Sequence, residues 1–237
     1  MRYKKAPTLA YLCLLPLLIA LGFWQLGRSE EKRVILEKQE QGIASPEFIR
    51  LSASGKYNVD ELRYQKVRAI GHYDREHQFL LDNQIRNGKV GYFVFTPFIF
   101  EEESQAVLVN RGWVPLNHDR SNLPEIMIKS QQAEVQGRIN RFPGVGIKLA
   151  GAEIPTQGWP SIVQLINNQV LTDKLGYKIF PFQIELAKEL PEGYDREWQV
   201  TTIMLPEQHT AYAIQWFALA FTLTLLYLWY SYKKSDE

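Results

Sequence analysis

Two stretches of this chain are too long and too apolar to belong to the surface of a folded domain. Ala6 to Gly27 and Thr210 to Tyr232, 22 and 23 residues, contain no Asp, Glu, Lys, Arg or His. A bilayer core about 30 Å thick is crossed by roughly 20 apolar residues, so each run predicts a transmembrane helix with modest tilt. Arg2, Lys4 and Lys5 precede the first run, and Lys233 and Lys234 follow the second. Lys and Arg collect on cytoplasmic flanks, which places both termini in the cytoplasm and the middle of the chain on the far side.

The expected order is therefore a cytoplasmic tail at 1–6, a transmembrane helix at 7–27, an extracytoplasmic domain at 28–208, a second transmembrane helix at 209–232 and a tail at 233–237. No small-residue cleavage site follows the first run, where the chain reads GFWQLGRSEEKR, so it is read as an anchor rather than a removed signal. The stretch before it is too short for a mitochondrial transit peptide, which makes a bacterial inner membrane the expected location and the middle domain periplasmic. The lone cysteine, Cys13, excludes a disulfide framework and a thiolate pair for copper or zinc.

The chain has 27 basic and 26 acidic residues; setting aside the five and two in the tails leaves 22 and 24 in the middle domain. That balance gives no electrostatic case for nucleic acid. The segment RSEEKRVILEKQEQ reads as a helix leaving the membrane, and the Gly/Ser/Pro-rich stretch to Gln65 as loop with a short turn of helix. Thereafter short runs rich in Val, Ile, Phe and Tyr alternate with Gly, Asn, Asp and Pro, which predicts an antiparallel sheet or open barrel. Asn87-Gly88 between two such runs is a hairpin signal. NNQVLTDKLGY predicts a short helix stopped by Gly176, followed by a strand at KIFPFQIEL. The fold class is a membrane protein whose two transmembrane helices flank a β-rich α+β domain.

Hydrolase, kinase and nucleotide-binding motifs are absent from the sequence. His72 and His77 could share a metal only with Asp74 or Glu76 as a further ligand. A hydrolytic use of His72 or His77 with Asp82 lacks an activated nucleophile, and His118 reads as a loop residue. His209 opens the second apolar run, and on a helix it shares a face with Tyr212, Ala213, Trp216 and Ala220. Two readings stand. One is an axial ligand to haem iron with apolar walls beside it; the other is an interfacial belt of His, Tyr and Trp.

In GFWQLGR, Trp24 and Arg28 read as interface anchors, with a cation–π contact between them. Gln25 needs a polar partner inside the bilayer. Depth counting pairs it with Gln215 on the second helix, with Gly22 and Ala218 allowing close approach. In VLVNRGWVP, Gly112 predicts a bulge that sends Trp113 and Val114 to opposite faces. Arg111 there reads as a structural corner paired to a carboxylate, or else as part of a docking edge.

Taken in order, GFWQLGR, GYFVFTPF, VLVNRGWVP and HTAYAIQWF resemble the blocks of the surfeit locus protein one family and cover nearly the whole chain. The resemblance implies a non-enzymatic assembly factor for a haem-copper cytochrome c oxidase, assisting haem a delivery or insertion into subunit I. It maps the family's haem-associated histidine onto His209, with Tyr212 and Trp216 beside the cofactor and haem a held transiently. It implies subunit I as partner, with haem A synthase and other oxidase assembly factors beside it, and the lipid bilayer around it. Trp24, Gln25, Arg28, Arg111, Trp113 and Gln215 are the candidate interaction residues. The rival expectation is a membrane-anchored scaffold that binds the maturing subunit without haem.

Overall fold

A computed structural model describes residues 5–101, 105–117, 119–120, 122–129, 133–146, 148–198 and 204–233. The chain divides into two compact units, 1–37 with 200–237, and 38–199.

The first unit is built on two helices, α1 (Lys5–Ala44) and α4 (Pro206–Lys233). Both are long and apolar enough to cross a membrane. α1 does not stop at Gly27 but continues through the charged segment beyond it, and its last residues belong to the second unit. Pro206 opens α4, where a missing N–H costs nothing because the first-turn donors lack helical partners anyway.

The second unit is a β-rich domain. After α1 come β1 (Ile49–Leu51), α2 (Val59–Leu62), β2 (Lys66–Tyr73), β3 (Phe79–Arg86), β4 (Lys89–Phe100), β5 (Gln105–Pro115), β6 (Glu134–Asn140), β7 (Ser161–Val163), α3 (Asn168–Leu175) and β8 (Lys178–Leu186). The strand order is β1-β2-β6-β8-β5-β4-β3-β7, and β2 also pairs with β4. That extra pairing closes β2, β6, β8, β5 and β4 into a ring. It is possible because β4 is long: Lys89 to Phe95 pairs with β3, and Phe98 to Phe100 pairs with the end of β2.

The sheet is mixed rather than antiparallel, since β1–β2, β3–β7 and β5–β8 run parallel. A parallel neighbour requires a long crossover. The 62 residues between β5 and β8, which include β6, β7 and α3, supply one. Local signals place the elements where expected. Asn87 and Gly88 both have positive φ, 48° and 73°, as a two-residue hairpin turn demands. Asn167 caps α3 by accepting from the N–H groups of Gln169 and Val170, and Gly176 ends it in the left-handed region.

β5 is buried on both faces, which explains its unbroken apolar run. Val107 and Val109 join Val67, Phe98, Val135, Phe182 and Ile184 in one core. Ala106 and Leu108 face the other way, onto Phe79, Phe95, Val163 and Leu171 of α3.

Candidate functional site

Within the helix unit, α1 and α4 meet along a seam with polar contacts toward both ends. Ser29 Oγ donates to the Pro206 carbonyl at 2.9 Å and lies 3.0 Å from Thr210 Oγ1. One turn back along α1, Gln25 Oε1 lies 2.7 Å from His209 Nδ1. Farther along, Gly22 is buried, and a Cβ placed there would stand 2.5 Å from Phe217 Cε1. At the far end Tyr11 stacks on Tyr227 with ring centroids 4.3 Å apart, and Thr8 meets the Tyr227 hydroxyl at 3.0 Å. Gly22, Gln25 and Ser29 follow i, i+3, i+7 spacing, which puts them on one stripe of α1.

His209 is 7% exposed, and Ala213 and Ala220, four and eleven residues on, are buried with it. Trp216 is half-buried and Tyr212 is 45% exposed, so the aromatic residues sit at the margin of this face rather than in it. Gln25 faces α4, as its need for a partner implied, but that partner is His209. Gln215 is exposed, and so is Ala218, whose expected place opposite Gly22 is taken by Phe217. Six residues of helix turn Gln215 about 120° away from His209, at 100° per residue. Trp24 is 57% exposed, and Arg28 pairs with Glu31 at 2.5 Å rather than with the indole. Ser29, Thr210 and Phe217 complete the seam. Their signal in the sequence was Ser29 one turn after Gln25.

Among the described residues no hydrogen bond reaches His209 Nε2, and that nitrogen is not among the buried polar atoms left without a partner. One ring nitrogen is thus engaged by an amide oxygen, while the other opens to the surface of the pair. An unpaired imidazole nitrogen with aromatic side chains nearby suits an axial bond to haem iron.

The β domain uses its singled-out residues differently. Gly112 has φ +110°, and a register shift marks the β4–β5 ladder between Phe93 and Phe95, which is the expected bulge. Arg111 is 1% exposed and donates to Gln78 Oε1 at 2.8 Å, to the Ile126 carbonyl at 2.8 Å and to the Glu192 carbonyl at 2.7 Å. Its guanidinium lies 3.7 Å from the Glu192 carboxylate and stacks over the Tyr194 ring. Burial pulls its pKa below the ordinary guanidinium value, opposed by Tyr194, Tyr73 and Glu192; at that strength of base it stays charged. Trp113 is 8% exposed, with its main-chain N–H on Asp195 O and its indole N–H on Gln84 O. Arg111 and Trp113 therefore pin residues 192–195 to the sheet. They form a structural corner in which both side chains are largely buried.

The histidine pair separates. His72 is an exposed strand residue, whereas His77 Nδ1 lies 2.7 Å from Asp74 Oδ2, which also accepts from the Tyr177 hydroxyl at 2.7 Å. Asp82 accepts from the Asn83 N–H and pairs with Arg120. Among the described residues no His, Cys, Asp and Glu cluster could hold a metal ion; His118 lies outside them. A groove of about 520 Å³ is lined by Ile43, Phe48, Tyr64, Trp198 and the ion-paired Arg138 and Glu185.

A β-rich domain inserted between two apolar helices, with one buried histidine joining them, defines the class of protein. The sequence profile of the SURF1 family matches residues 12–221, and the chain belongs to that family. It is 28% identical to a SURF1-like protein of Rickettsia felis over 235 residues, 94% of this chain and 96% of that one. It is also similar to the cytochrome oxidase assembly protein SHY1 of Saccharomyces cerevisiae, 33% identical over 95 residues, 40% of this chain and 24% of that protein. Surfeit locus protein 1 of Arabidopsis thaliana is 31% identical over 105 residues, 40% of this chain and 30% of that one.

Proposed function

We propose that this chain is a non-enzymatic assembly factor for a haem-copper cytochrome c oxidase. In this reading α1 and α4 span a bacterial inner membrane, the β domain lies in the periplasm, and the helix pair holds haem a on its way to subunit I. Two lines support it: the similarity to a yeast protein named for cytochrome oxidase assembly, and the apolar and basic pattern of the flanks.

The observation that carries the haem part is the state of His209, a buried imidazole with one nitrogen engaged by Gln25 and the other open. Haem a, when bound, supplies the iron and the apolar macrocycle that the oxidase takes up. His209 Nε2 would hold the iron, and Tyr212 and Trp216 would offer apolar surface. A single neutral ligand binds less firmly than a pair, which suits a carrier.

Deleting the chain tests the assignment. The expected result is subunit I in the membrane with a lowered haem a content per polypeptide, read by pyridine haemochrome spectra. Normal haem content would contradict it. Restoration of full content by His209→Ala would leave only a scaffold role.

A further inference from the structure

Gln25 is a polar side chain in a stretch that otherwise avoids polarity, and its amide oxygen is spent on a single group, His209 Nδ1 at 2.7 Å. An amide oxygen carries no proton. The proton of this bond therefore belongs to Nδ1, and the neutral ring is the tautomer whose lone pair sits on Nε2. The opposite tautomer would bring two lone pairs face to face and leave Nε2 protonated, unable to bind a metal.

The contact is also held in place from both sides. Ser29, one turn along α1, is tied to Pro206 and Thr210 at the start of α4, and Gly22, on the other side, packs on Phe217. These contacts fix the rotation of both helices, so Gln25 meets the imidazole in one register. In apolar surroundings such a bond is stronger than in water, and a bond donated by one ring nitrogen holds the ring in one orientation.

From this geometry we infer that Gln25 is a positioning residue: it fixes His209 as the Nδ1–H tautomer and aims Nε2 outward as the donor to haem iron. The inference rests on the reading of His209 as the haem ligand. A carboxylate at position 25 would donate more electron density to the ring, but it would place a charge in an apolar stretch. The amide orients the ring without that charge, and it keeps the iron bond moderate.

The test uses the full chain in detergent, with ¹⁵N-labelled histidine and with ferric haem a and iron protoporphyrin IX as probes. Without haem, the His209 resonances, assigned by their loss in His209→Ala, should show a protonated Nδ1 and a bare Nε2. Gln25→Leu should lose that preference and bind both haems about 10- to 100-fold more weakly, the usual effect of removing the group that orients a metal ligand. Gln25→Glu should restore affinity and lower the haem reduction potential relative to wild type.

A protonated Nε2 in the wild type would overturn the inference, and so would a Gln25→Leu variant with unchanged tautomer and haem affinity. If haem affinity survives in His209→Ala, the ligand reading itself fails, whatever Gln25 does. The tautomer measurement needs no haem, and helical circular dichroism together with the Gln25→Glu rescue separates positioning from misfolding.

Discussion

Arg111→Met is expected to destabilise the β domain by roughly 3–5 kcal/mol, the range seen when one member of a buried, hydrogen-bonded charge network is removed. Methionine fills much of the volume but donates nothing to the Gln78 side chain or to the Ile126 and Glu192 carbonyls. Gln78 Oε1 keeps its bond from Thr96 Oγ1, but leaving a buried carbonyl without a donor costs about 1–3 kcal/mol, less where water enters. Residues 192–195 would also lose their tie to β5. At about 2–4 °C per kcal/mol for a domain of this size, the melting temperature should fall by roughly 10 °C. Arg111→Lys should recover little, because a point charge cannot serve acceptors spread round a planar fork. Tryptophan-monitored melting of the full chain checks this, and a fall of only 1–2 °C would mean the corner is held by other contacts.

The second large effect is expected in the helix pair. At Gly22 a side chain would run into the Phe217 ring, whose Cε1 stands 2.5 Å from the place of a Cβ. Gly22→Leu must displace Phe217 and push α1 from α4, loosening the Gln25–His209 and Ser29–Thr210 contacts one and two turns away. A cross-link reads the separation. With Cys13→Ser as background, Ser29→Cys and Thr210→Cys should form a disulfide readily, because the two native hydroxyls are 3.0 Å apart. Adding Gly22→Leu should cut its yield about tenfold, a change of about 1.4 kcal/mol in the pairing equilibrium. Equal yields with and without the leucine would show that the helices tolerate the wedge.

Much of this architecture is written in local signals. The two charge-free runs announce α1 and α4, Asn87-Gly88 announces a hairpin, and Asn167 with Gly176 brackets α3. These features depend on a few neighbouring residues. What depends on distant partners was not legible. The alternation in β8 identifies a strand but not its parallel neighbour β5, and nothing local says that β4 bends far enough to pair with both β3 and β2.

The helix pair shows the same division. Depth along the axis correctly implied that Gln25 meets the second helix, but depth alone chose Gln215, which the helical rotation turns to the exposed side. Rotation is set by packing, here by Gly22 against Phe217 and Ser29 against Thr210, and the sequence does not state which small residue meets which large one. Arg111 was legible as a corner from the neighbouring glycine. Its anchoring of residues 192–195, some 80 positions later, was not.

We propose His209 as the residue through which this chain would hold haem. The most direct measurement is the absorption spectrum of the chain purified from cells that make haem a, taken beside His209→Ala prepared the same way. The wild-type protein should show a haem a spectrum and the variant should lack it, with helical content unchanged. A His209→Ala protein carrying haem a at the wild-type level and with the same spectrum would contradict it.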